Sequence, residues 1–185
     1  VRSQEEAGEL KKKFFGNALP VLTLGSLRPG EETLWIQSFL DHWMKEKTFN
    51  AVIAPRHREK FEYFAGALGK ASLPFVKWSD RRLDPESADK NSGELILLDS
   101  MGDLEKVYSF SEAAFIGGTI VNFGGHNPLE AAAYGAFILL GPHISRIEPV
   151  ARVLYSRGGA LKISAQTDVD KFVRELGGRT ENVRT

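Results

Sequence analysis

Gly117-Gly-Thr-Ile-Val-Asn-Phe-Gly-Gly-His-Asn-Pro-Leu-Glu-Ala-Ala-Ala-Tyr-Gly-Ala-Phe-Ile-Leu-Leu-Gly-Pro142 is the stretch on which the fold turns. Ala113 to Ile116, just ahead of it, reads as a short buried strand, and two glycine pairs bracket the loop that follows. Asn127-Pro128 predicts a helix start, because Asn is a strong N-cap and proline fits the first turn. Glu130 falls in that turn, Gly135 ends the helix, and Ala136 to Leu140 is another buried strand. The order is strand, glycine loop, helix, strand. A helix N-terminus bare of bulky side chains offers N–H groups and a dipole to a phosphate. A carboxylate one turn in can accept from the two hydroxyls of a ribose. One glycine pair alone would be read as a tight turn. Packing does not require a polar His-Asn before Pro, or a carboxylate just after it.

The rest of the chain repeats the pattern. Pro20 to Leu24 is a strand, followed by Gly25-Ser26 and a helix from Glu31-Glu32 to about Lys47. Leu34, Trp35, Ile36, Phe39, Leu40 and Trp43 give that helix a wide apolar stripe. Gly25-Ser26 reads equally as a turn or as a ligand loop at a strand's carboxyl end. Asn50 to Ala54 is a second strand, with Pro55-Arg56-His57 at its tip and a helix over 58–68. A guanidinium there suits a phosphate as well as a surface salt bridge. Pro74 to Trp78 is a third strand, and Ser79 to Gly93 reads as an exposed loop. Leu95 to Leu98 is a fourth strand, with Asp99-Ser-Met-Gly-Asp103 and a helix over 104–110 after it. Asp99 could cap that helix, and Met101-Gly102 could lie flat on a base, since thioethers favour aromatic rings. Ile144 to Arg157 reads as a helix burying Val150, Val153 and Leu154. Ala160 to Ile163 follows a glycine turn, then a last amphipathic helix over Asp168 to Leu176.

About six buried strands, most followed by a helix, predict an α/β protein with a Rossmann-like, doubly wound parallel sheet. The polar and glycine-rich points all fall just after strands. They gather along one sheet edge and together describe one nucleotide-sized site. Residues 1–18 read as a lead-in or linker helix, 19–177 as the binding domain and 178–185 as a polar tail.

Composition narrows the function classes. The 185 residues allow one domain with a real core. Lys plus Arg is 24 and Asp plus Glu is 24, so nothing general favours nucleic acid or an anionic membrane. The absence of cysteine excludes disulfides and thiolate metal sites. No apolar run approaches the roughly 20 residues that span a bilayer. The N-terminus has no signal-peptide pattern, and it starts without Met, which suggests a piece of something longer.

The motifs, in this order, resemble a family. Gly117-Gly118 through Gly-Gly-His-Asn-Pro-Leu-Glu130, Asp99-Ser-Met-Gly-Asp103, Gly141-Pro142-His143, Gly25-Ser26 with Gly30-Glu31-Glu32, and Pro55-Arg56-His57 are similar to the 3-deoxy-D-manno-octulosonic acid (Kdo) transferases of lipopolysaccharide synthesis. The likeness runs from about Val21 to Leu154. Three departures stand out: Leu27-Arg28 where Thr-His is usual, Ala131 where Pro follows Glu, and Ser145-Arg146 where Asn-Phe is usual.

The resemblance implies the C-terminal, donor-binding half of a GT-B glycosyltransferase. It implies CMP-Kdo as donor, a lipid A precursor as acceptor through an N-terminal domain, and no metal or other cofactor. The full-length protein would work at the cytoplasmic face of the inner membrane, touching its surface, and this piece would be soluble and inactive alone. Pro55, Arg56, Met101, Gly102, Asp103, Gly125, Asn127, Pro128, Leu129 and Glu130 would hold the CMP, with Ser26 near phosphate or sugar. The catalytic base would lie in the other domain, so none is assigned here. Two other readings stay open: half of a UDP-sugar-dependent GT-B enzyme, and a non-catalytic nucleotide-binding module. A dinucleotide oxidoreductase fits poorly, because Gly25-Ser-Leu-Arg-Pro-Gly30 is not Gly-x-Gly-x-x-Gly.

Overall fold

The computed structural model describes residues 3–178. Seven parallel strands form one sheet: β1 (Val21–Leu27), β2 (Asn50–Pro55), β3 (Val76–Lys77), β4 (Leu95–Leu97), β5 (Ala113–Ile116), β6 (Phe137–Leu140) and β7 (Ala160–Lys162). Their spatial order is β3-β4-β2-β1-β5-β6-β7. The chain leaves β1 towards β2 on one side and returns to β5 on the other. The β1/β5 boundary is therefore the point where strand order reverses, and ligands of open α/β sheets bind outside the carboxyl ends there.

Alternate residues of each strand feed opposite faces. On one face Leu22, Leu24, Ile53, Leu97 and Phe115 pack beneath Trp35, Phe39, Trp43, Phe64, Phe172 and Val173. These come from α2 (Glu32–Ser38), the turn over Phe39–Trp43 that leads into α3 (Met44–Glu46), α4 (Phe61–Lys70) and α9 (Gln166–Gly178). The other face is covered by α1 (Gln4–Phe15), α5 (Trp78–Leu83), α6 (Leu104–Tyr108), α7 (Leu129–Ala132) and α8 (Glu148–Ser156). A π turn, Phe39–Trp43, joins α2 to α3. Four-residue steps drift roughly 40° around an α-helix. The wider π turn reverses that drift, so Trp35, Phe39 and Trp43 all stay buried.

Several local expectations change. The stretch over 79–93 is not an open loop: it carries α5 and a 3-10 turn, Pro85–Ser87. Arg81 is only 1 % exposed. Its terminal nitrogens donate to both Glu94 oxygens at 2.7 and 2.8 Å and to the Phe14 carbonyl at 2.6 Å. This long-range pair pins the stretch, and nothing local in the sequence announces it. In α8, Val153 is exposed and Ala151 takes the buried position, with Ile147 buried just before the helix. The lead-in helix α1 starts at a capping box on Ser3 and buries Phe14 and Phe15 in the core. Phe14 stacks on Trp78 with centroids 3.7 Å apart. The tail beyond Gly178 lies outside the described residues. Among the described residues, no helix is long and apolar enough to cross a membrane.

Candidate functional site

At the carboxyl end of β1 the pairing with β2 shifts between Leu24 and Leu27. Ser26, inside that irregularity, has φ 55, the left-handed region that a non-glycine residue adopts at a cost. Two glycines make the geometry fit. The Tyr108 hydroxyl lies where a side chain at Gly25 would begin, and the Ser26 carbonyl where one at Gly117 would begin. Gly117 N–H donates to the Gly25 carbonyl at 2.8 Å.

The glycine loop after β5 is held from within. Glu31 is fully buried, and its carboxylate accepts from the N–H groups of Gly118 (2.8 Å), Thr119 and Ile120 (both 3.0 Å) and Val121 (3.4 Å). Its second oxygen also accepts from Arg28 N–H at 2.9 Å. A run of backbone N–H groups of this kind is an anion nest. Here the protein's own carboxylate fills it, tying the helix start after β1 to the loop after β5. Those N–H groups are therefore engaged, and an incoming phosphate must be met elsewhere.

The open part of the edge is a cavity of about 280 Å³ lined by Ser26, Ala54, Pro55, Arg56, Leu98, Ser100, Met101, Gly102, Leu104, Glu105, Tyr108, His126, Asn127 and Glu130. Four successive strand ends contribute to it. Ser26, Pro55, Arg56, Met101, Gly102, Asn127 and Glu130 thus meet in one wall. Asp103, Gly125, Pro128 and Leu129 are outside it. Asp103 is buried and accepts from Ser100 and Lys106, which with Arg82 hold its carboxyl below the usual range against the opposing effect of burial. Gly125 is enclosed, its N–H donating to the Gly118 carbonyl. Pro128 is buried and Leu129 half-exposed.

The expected helix at Asn127 is a single turn. Asn127 Oδ1 accepts from Leu129 N–H at 3.0 Å, and α7 ends at Ala132. One turn carries few aligned peptide dipoles, so the grip on an anion falls to side chains. Arg56 at the tip of β2 is the one in the wall. Tyr108 went unread in the sequence as a wall residue, since its spacing marks a core position. Burial, with Glu130 nearby, pushes its phenol well above the ordinary value, so it stays a hydroxyl.

Beside His126 the charges are of one sign. Arg28 Nε donates to His126 Nε2 at 3.3 Å. The Arg28 guanidinium lies 3.4 Å from the Phe123 ring centre and that of Arg146 lies 4.2 Å from it. Such contacts contribute about 0.5–1 kcal/mol at exposed sites. His126 packs on the same ring at 5.0 Å. Burial, then Arg56, Arg28, His57 and Arg146, push the His126 imidazole down to about 4. It is neutral at pH 7 and accepts at Nε2, which puts its proton on Nδ1. Among the described residues, no group of three or more His, Asp and Glu is placed to hold a metal.

Similarity to known proteins bears on this edge. No family model matches the sequence. A 3-deoxy-D-manno-octulosonic acid transferase of Haemophilus influenzae is 32% identical over 149 residues, covering 80% of this chain and 34% of that protein. The chain is a relative of the Kdo transferases. A bifunctional glycosyltransferase/methyltransferase of Fusobacterium nucleatum is also 32% identical, over 180 residues, 94% of this chain and 26% of that protein. The chain thus spans about a quarter to a third of the length of these curated relatives. The C-terminal CMP-Kdo binding domain of WaaA from Acinetobacter baumannii superposes with a TM-score of 0.79 at 20% identity, covering 98% of this chain and 97% of that one. The C-terminal domain of a group 1 glycosyl transferase from Francisella tularensis follows at 0.56 and 14%, covering 95% and 82%. The fold is that of the C-terminal domain of a GT-B glycosyltransferase.

Proposed function

We propose that this chain is the donor-binding domain of a Kdo transferase, and that its cleft holds CMP-Kdo. The observation that carries this reading is the convergence of Ser26, Arg56, Met101, Gly102, Asn127 and Glu130 on one cavity at the strand-order reversal. Met101-Gly102 faces the base. Glu130 accepts from the ribose hydroxyls. Arg56 takes the phosphate, where its planar fork pairs with two oxygens.

When the glycosidic bond to phosphate breaks, negative charge grows on the departing CMP. Arg56 stabilises it from the tip of β2, where the strand end fixes its backbone: Arg56 N–H donates to the Leu27 carbonyl at 2.9 Å. The reading requires no metal. The base that activates the acceptor and the binding of the acceptor, a lipid A precursor, belong to other parts of a longer protein. That protein would work at the inner face of the inner membrane and meet the membrane surface there. The division of the chain follows from the same reading, with residues 19–177 as the donor domain.

Calorimetric titration with CMP tests the proposal. Glu130→Ala is expected to weaken CMP binding roughly tenfold, the loss of a charged hydrogen-bond partner. Glu130 is exposed, so the melting temperature should stay put. A variant that binds CMP as tightly as the parent would remove Glu130 from the site.

A further inference from the structure

We infer that the Tyr108 hydroxyl, on the floor of the cleft, is a specificity group: it donates to a ribose hydroxyl that Glu130 also holds, and so selects ribonucleotides over their deoxy analogues. Resting on the donor reading above, this adds a residue to the site and a selection made within the nucleoside itself.

Space is the first observation. Tyr108 closes α6 and is only 2 % exposed. Its hydroxyl oxygen stands where a Cβ on Gly25 would begin. Gly25 is not among the glycines with positive φ, so its backbone does not ask for glycine. The phenol does. It reaches beneath the carboxyl end of β1 and takes the room of a side chain there, beside the point where strand order reverses.

The second is an unmet hydroxyl. The chain has four tyrosines. Tyr63 and Tyr134 donate to Glu32 and Glu105, both at 2.7 Å. The Tyr155 hydroxyl has no partner and is sealed from solvent. The Tyr108 hydroxyl has no hydrogen-bond partner among the described residues either, but Tyr108 lines the cavity, where a ligand can meet it. Ala54, Leu98 and Leu104, which line the same cavity, bring only apolar side chains. A buried hydroxyl left unpaired is costly, and a native fold keeps one where something else completes it.

Complementarity is the third. Glu130 lines the same cavity, and its charge reaches the phenol. A carboxylate only accepts, whereas a phenol also donates. A ribose hydroxyl does both at once: it gives its proton to Glu130 and accepts from Tyr108. A phosphate placed there would be repelled by Glu130, and a base carbonyl would leave the carboxylate unused. A site built to hydrogen-bond a hydroxyl rejects the analogue that lacks it, because the protein's own group is then buried and unpaired.

The test is calorimetric titration of the 185-residue chain with CMP, 2′-deoxy-CMP and 3′-deoxy-CMP. The parent is expected to bind CMP roughly tenfold tighter than at least one deoxy analogue. Tyr108→Phe should lose about that factor for CMP and leave the affinity for the rejected analogue unchanged, so that the preference collapses. A packing role alone would weaken all three ligands alike and leave their ratios standing, which would overturn the assignment. A parent that binds all three equally would overturn it too. A second measurement needs no variant: with an isotope label on tyrosine Cζ, the Tyr108 NMR signal of the parent should move with CMP and stay still with the rejected analogue. An equal response to both would again overturn it. If the parent binds CMP and Tyr108→Phe keeps the parent's ratios, the Tyr108 role falls and the donor reading stands. If the parent binds none of the three, both fall.

Discussion

Two groups of arginines in this molecule have opposite fates. Arg81 is fully buried, and both Glu94 oxygens accept from it. Arg28, Arg56 and Arg146 stand at the carboxyl edge of the sheet with no carboxylate partner among the described residues. Arg81 closes a gap between α1, α5 and the start of β4, and its charge is matched inside the protein. The edge arginines leave a positive field open to the cleft. A matched charge marks architecture, and an unmatched group of charges held in place marks where a ligand belongs.

The largest effect should come from breaking the matched pair. Arg81→Ala leaves the largely buried Glu94 carboxylate without its cation and should cost about 3–5 kcal/mol, read by urea denaturation. Glu31→Ala should follow, on the order of 3 kcal/mol, because several buried N–H groups lose their acceptor at once. The glycine loop should then exchange its amide hydrogens faster than the strands do. Arg56→Ala reverses the pattern: stability should move by less than about 0.5 kcal/mol, as for other surface changes. CMP affinity should fall roughly tenfold or more, the loss of a charge-assisted contact.

A smaller effect concerns pH. His126 has its imidazole pushed down to about 4 by burial and by Arg56, Arg28, His57 and Arg146. The folded form keeps it neutral, while the unfolded chain takes up a proton below about pH 6.5. Its contribution to stability is complete above that pH and is lost as the pH falls towards 4. Arg28→Met should move the NMR titration midpoint of His126 upwards, and so should a bound anion. A midpoint indifferent to both would mean that burial alone sets it.

The alternation of strands and helices was legible because burial on both faces forces apolar runs, and because glycine, proline and polar residues punctuate them. The cleft wall was legible for a related reason: a parallel sheet puts all its carboxyl ends on one edge, so Ser26, Arg56, Met101 and Glu130 needed only to follow strands. Side-chain destinations across long sequence separations were not legible. Glu31 and Glu32 look alike in the chain, yet Glu31 fills the nest at 118–121, while Glu32 accepts from Gly30 N–H and the Tyr63 hydroxyl. Arg81 sits in a polar run that reads as solvent-exposed, and only the fold brings Phe14 and Glu94 to it. Two of the three departures from the family pattern, Arg28 and Arg146, meet on Phe123, a contact that no spacing rule connects. Local rules also overstated α7, because they see the Asn-Pro start and not the turn that cuts it to Leu129–Ala132.

The central claim is that the open edge is a CMP site, and parallel calorimetric titrations of the chain with CMP and UDP test it most directly. The account predicts that CMP binds, that UDP binds at least tenfold more weakly, and that Arg56→Ala weakens CMP binding roughly tenfold or more while Arg81 stays paired. Binding of UDP in preference to CMP would contradict it, as would CMP binding that Arg56→Ala leaves unchanged.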